Sequence, residues 1–114
     1  MKERNGFVSN SSSTSFYITN ISSESKTLVD FVIENARLIV EFLEEYDWYN
    51  SDDFNLENMT AAAKERDIHF NPGERLQCVF GDEQGDVIGS VYDYMLRSGG
   101  SSPSFVWEFD QFYR

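Results

Sequence analysis

Cys78 and His69 are the single cysteine and single histidine of the chain, so a thiol nucleophile would have to use that one imidazole as its base. The run Leu76-Gln77-Cys78-Val79-Phe80 reads as a strand with Cys78 on the same face as Leu76 and Phe80. There a small buried core residue is expected rather than a nucleophile. His69, between Ile68 and Phe70 and just before the turn signal Asn71-Pro72-Gly73, reads as polarity at an edge or loop. One His and one Cys are too few for a zinc site, which takes three or four N, S or O ligands. Carboxylates are the abundant chemistry. Between Arg37 and Lys64 come Glu41, Glu44, Glu45, Asp47, Asp52, Asp53 and Glu57, with no base among them. Paired carboxylates can serve a glycosidase or hold calcium. The calcium-loop pattern fails, because Asp82-Glu83-Gln84-Gly85-Asp86 lacks the alternate oxygen ligands and the closing Glu. Tyr46, Trp48 and Tyr49 interleave with the acids, and such aromatics are common interface anchors. The candidate site is therefore a partner-facing acidic patch of Glu41, Glu44, Glu45, Asp47, Trp48, Tyr49, Asp52 and Asp53. The alternative is a plainly solvated surface whose aromatics cap the end of a helix.

Other polar stretches carry less. Ser98-Gly99-Gly100-Ser101-Ser102 has neither the spacing nor the Lys of a phosphate loop, and reads as a helix-ending Gly followed by a connector. Nucleophile-elbow, dinucleotide-binding and kinase signatures are lacking, so no cofactor is expected. The run Ser9-Asn10-Ser11-Ser12-Ser13-Thr14-Ser15 is low-complexity and polar, a lead-in to Phe16-Tyr17-Ile18-Thr19-Asn20-Ile21, which reads as the first strand. Its hydroxyls favour turns and caps, so an ordered anion-binding nest, a modification site and a plain leader all stay open. Residues Gly6 to Phe16, read as Gly6-Phe7-Val8-Ser9-Asn10-Ser11-Ser12-Ser13-Thr14-Ser15-Phe16, resemble the start of a functionally uncharacterised group of small phage and bacterial proteins. Those begin with a short charged stretch and a GFVSNSSSSSF-like segment; here Thr14 interrupts the serines. The resemblance implies a phage or mobile-element accessory protein and carries over no catalytic or binding residues.

Charge narrows the partner class. With 20 acidic against 9 basic residues the net charge is −11, so direct binding to nucleic acid or an anionic membrane is the least expected activity. A basic protein surface, or a protein that normally holds nucleic acid, is the natural partner, although acidity for solubility alone stays open. A single cysteine fits a reducing compartment, the N-terminal residues lack the apolar stretch of a secretory signal, and no apolar run approaches the roughly 18 residues of a membrane helix. A bacterial or phage-infected host cytoplasm is the expected location.

These residues must be positioned by one domain, since 114 residues with 40% hydrophobic content suit a single core. The lead-in is placed at residues 1–14 and the domain at 15–114. Ser22-Ser23-Glu24-Ser25 supply capping hydroxyls for a long helix running to about Tyr46. Its apolar positions Leu28, Val32, Ala36, Ile39, Leu43 and Tyr46 are widened by Phe31, Leu38 and Phe42 on one side and by Val29 and Val40 on the other. That breadth implies two packing partners, a sheet and a second helix. Asp30, Glu34, Arg37, Glu41 and Glu45 form the solvated face, with Lys26 to Asp30 and Arg37 to Glu41 at helical pair spacing. A helix from Leu56 to Arg66 follows, with Asn55 as N-cap. Gly81 to Gly85 read as a tight connection and Asp86 to Gly89 as the returning strand, with a capping box at Ser90 and Asp93 opening a third helix. One helix from Asp86 to Arg97 is the rival reading. Phe105, Trp107 and Phe109 alternate with Glu108 and Asp110 in the clearest strand of the chain. The order β-α-α-β-β-α-β gives an α+β domain with a mostly antiparallel sheet and helices on one face.

The favoured reading is a non-enzymatic binding protein, an accessory, inhibitor or immunity-type factor. A structural or virion-associated subunit, whose aromatic last strand adds to a neighbour's sheet, is the alternative. An enzyme built on Cys78 and His69 ranks last.

Overall fold

The computed structural model describes residues 13–45, 53–81 and 87–113. In chain order these form β1 (Ser13–Asn20), β2 (Lys26–Thr27), α1 (Leu28–Glu34), α2 (Arg37–Glu45), α3 (Leu56–Arg66), β3 (His69–Phe70), β4 (Arg75–Gly81), α4 (Val87–Met95), β5 (Gly100–Ser101) and β6 (Phe105–Tyr113). The architecture is the expected α+β domain with a mostly antiparallel sheet. β1 is central, antiparallel to β4 on one side and to β6 on the other, and β5 adds two residues outside β6. A separate two-stranded ribbon pairs Thr27 with His69 and Lys26 with Phe70.

Alternation along the strands sorts the two faces of the sheet. Phe16, Ile18, Cys78, Phe80, Phe105 and Trp107 are buried in the core with the helices. On the open face Arg75 lies 3.8 Å over the ring of Tyr17 and ion-pairs with Glu108. Beside them Asp110 accepts from Ser15 at 2.7 Å and from Gln77 at 3.0 Å. Phe31 joins the layers: its ring meets Tyr92, Phe105 and Trp107 edge-on, with centroids 5.2–5.4 Å away. Each such pair adds about 0.5–1.5 kcal/mol beyond the area buried.

Three expectations are corrected. The long helix is two helices, parted at Asn35–Ala36. Asn35 is fully buried; its side-chain amide donates to the Phe31 carbonyl at 3.1 Å and to Ser102 Oγ at 3.2 Å, and its backbone N–H also donates to the Phe31 carbonyl at 3.0 Å. A short polar side chain that competes for backbone groups ends a helix in this way. The helix also starts later, because Thr27 is the N-cap and Asp30 closes a capping box with it. Asp30 is thus spent on Thr27 and Lys26 lies in β2, so they form no pair along a helix. Second, Val87–Gly89 form no returning strand: Val87–Met95 is helical, as in the rival reading, and Ile88, Val91 and Tyr92 bury at helical spacing, while Asp86 lies outside the described residues. Ser90 and Asp93 lie inside that helix and are buried, so the capping box there does not exist. Third, Val40 does not widen the buried stripe but stands 57% exposed.

The start of α3 and the turn after β3 hold, whereas the first strand begins earlier. α3 begins at Leu56 with Asn55 accepting from the Asn58 N–H at 2.8 Å. Asn71-Pro72-Gly73 is a turn in which Gly73 takes a positive φ of 79°. Of the serine-rich run, Ser13, Thr14 and Ser15 belong to β1, and the last two are buried. The alternation of β6 holds to Phe109 and is then shifted by a bulge: Ser15 faces Gln111 and Phe16 faces Phe109, leaving Asp110 as the extra residue.

Candidate functional site

The outer face of α2 carries most of the described part of the acidic patch. Leu38, Ile39 and Phe42 turn into the core, which leaves Arg37, Val40, Glu41 and Glu44 on an outward arc of about 100° at 100° per residue. Glu41, Glu44 and Glu45 are exposed. Arg37 pairs with Glu41 at 3.7 Å, and no other ion pair reaches this run among the described residues. Glu44 and Glu45 occupy the last turn, which has no basic residue. The helix dipole puts partial negative charge at that end, so an acid there costs about 0.3–1 kcal/mol where a cation would gain as much. Val40 lies at one edge of that arc, beside Glu44.

Asp53 joins this region through packing. The chain returns from its undescribed stretch at Asp53, which is exposed, and the next residue, Phe54, buries its ring 5.4 Å from that of Phe42 in α2. The Asp53 carbonyl accepts from Asn58 Nδ2 at 3.0 Å, which fixes it beside the start of α3. Asp47, Trp48, Tyr49 and Asp52 lie outside the described residues.

Cys78 and His69 are kept apart in character and in partners. Cys78 is 3% exposed, and burial pushes its thiol up to about 11, with Arg66 pulling weakly the other way. At neutral pH about one in 10⁴ such groups is a thiolate, so it is a poor nucleophile. The His69 ring is exposed and bonds Asp67 at 2.7 Å. Beside it, Thr27, Val29, Ala63, Lys64 and Ile68 line a half-open depression of about 240 Å³, below the roughly 300 Å³ at which ligand pockets begin. Among the described residues no group of three or more His, Cys, Asp and Glu side chains is placed to hold a metal, and no helix is long and apolar enough to cross a membrane.

Two carboxylates that the sequence reading gave other roles, Asp93 in a capping box and Glu34 on a solvated face, are instead built into the structure. Asp93 of α4, with its side chain 3% exposed, accepts from the Thr14 hydroxyl at 2.5 Å and from Arg97 at 3.2 Å. Glu34, at the end of α1, takes the Ser102 hydroxyl and the Ser104 N–H, the latter at 2.8 Å, and so ties the loop before β6 to the helix. Desolvation alone would raise its pKa, but hydrogen bonds from Ser102 and Ser104, with the charge of Lys26, hold it below the usual carboxylate value. Asp93 and Arg97 stand at helical pair spacing, but the bonds to Thr14, Ser102 and Ser104 have no local signal, because those partners lie 68 or more residues away in the chain.

Comparison with protein-family models, curated proteins and solved structures returns no match for this chain.

Proposed function

We propose that the chain is a small non-enzymatic accessory protein that binds a protein partner with a basic surface, through the outer face of α2 and the acidic residues after it. The observation that carries this reading is an exposed apolar side chain beside acids that have no described cation partner: Val40 next to Glu44 at the edge of the outer face of α2, with Glu45 following. Folding gives no reason for that arrangement, since Val40 buries little and the last-turn acids oppose the helix dipole. Binding does, because an interface sets exposed apolar side chains beside charged ones. The net charge of −11 adds long-range attraction for a cationic surface and repels phosphate backbones. An inhibitor or immunity-type factor in a bacterial or phage-infected cytoplasm fits this chemistry and the resemblance of residues 6–16.

Capture from a bacterial lysate on the immobilised chain tests the proposal. A specific partner should bind at low salt, release as ionic strength rises towards 1 M, where the Debye length is about 3 Å, and be lost with Val40→Ser and Trp48→Ala. A partner indifferent to salt and to both substitutions would sink the acidic-patch reading.

A further inference from the structure

We propose that the outer edge of β6 is a strand-addition site for an extended partner segment in which apolar residues alternate with lysine or arginine. This surface is separate from α2 and does not rest on the function proposed for it. β6 pairs with β1 from Phe105 to Tyr113, whereas β5 covers its other side only at Val106 and Trp107. Phe105 and Ser102 exchange both backbone hydrogen bonds, at 2.8 and 3.4 Å, and Gly100 faces Trp107. By the alternation of an antiparallel ladder, the next outward-facing N–H and C=O belong to Phe109. No described strand lies opposite it. The other edge of the sheet is treated differently: Arg66 of α3 donates to the Val79 carbonyl of β4 at 3.0 Å and lies 4.9 Å over the ring of Phe80. One edge is plugged and the other is a template for pairing.

Side chains at the open edge define what would add. Phe109 and Phe112 are 39% and 44% exposed, their ring centroids are 4.9 Å apart, and Phe109 meets core residue Phe16 edge-on at 6.3 Å. They carry the apolar face of the sheet out to its rim. Arg97, fastened to Asp93, roofs Phe112 at 5.0 Å. Every second residue of an added strand would extend this shelf, so those residues are apolar. The residues between them would lie beside Glu108 and Asp110 on the other face, in a chain of charge −11, which selects lysine or arginine. A second copy is a poor occupant. Antiparallel self-pairing centred on residues 108–112 would set Asp110 against its own counterpart, and like charges directly opposite destabilise a sheet. The bulge at Asp110 limits regular pairing to a few rungs, so the aromatic shelf must supply much of the affinity.

The test uses the full chain and the peptide acetyl-Lys-Val-Lys-Val-Lys-Val-amide, with binding mapped by amide NMR shifts and hydrogen exchange. Shifts and slowed exchange should centre on Phe109, and peptides with Glu for Lys, or with a central Pro, should fail to bind. Phe109→Ser should weaken binding about tenfold or more. Phe112→Ser, at the more exposed ring, gives the same readout should Phe109→Ser not fold. Absence of shifts in β6, shifts on α2 instead, equal binding of the Glu or Pro peptides, or dimerisation through β6 without peptide would each overturn the assignment.

Discussion

Asp93 and the glutamates closing α2 are acids on helices that pack against each other, in opposite circumstances. Asp93 is enclosed and its charge is answered by Arg97 and the Thr14 hydroxyl. Glu44 and Glu45 face outward, at the helix end where the dipole opposes them, without a described cation beside them. An acid that holds the fold shows itself by its partners. An acid that slightly weakens its own helix has to be explained by something outside the fold.

Substitutions can widen or erase that contrast. The largest effect is expected for Asp93→Ala, which leaves the buried Thr14 hydroxyl unsatisfied and takes a partner from Arg97, and should cost about 3 kcal/mol in urea unfolding. A cost under about 1 kcal/mol, typical of a surface pair, would place Asp93 with the α2 glutamates. Thr14→Val removes one buried donor to that carboxylate and should cost about 1–2 kcal/mol by the same measurement.

Glu34 lies between the extremes. Its folded pKa is below 4.5, so its stabilisation is present above the unfolded value and is lost as the pH falls through the folded one. Glu34→Gln should therefore be about 1 kcal/mol less stable than the parent at neutral pH, after allowance for its partial exposure, and converge with it as the pH falls through the lowered folded pKa. An unchanged gap at acid pH would mean that packing, not charge, fastens Ser102 and Ser104. The smallest effect reverses sign: Glu44→Gln and Glu45→Gln should each stabilise by about 0.3 kcal/mol.

Local chemistry made much of this legible. The Asn55 cap, the Asn71-Pro72-Gly73 turn and the alternation of Phe105, Trp107 and Phe109 act through near neighbours in the chain, so spacing alone finds them. The break at Asn35 escaped because the apolar stripe continues across it, while the bond that makes it useful reaches Ser102. Val87 to Met95 fits either period over its first residues, and the helix is decided by what Ile88, Val91 and Tyr92 bury against. The acids of the patch are visible as composition. The exposure of Val40 is not, because an apolar residue at helical spacing reads as core until the neighbouring elements are placed.

The triple variant Glu41→Gln, Glu44→Gln, Glu45→Gln tests the central claim most directly, with its urea midpoint and its capture of a salt-sensitive partner measured side by side. The account predicts a midpoint equal to or above that of the parent, together with loss of capture. A lowered midpoint, or capture equal to the parent's, would contradict it.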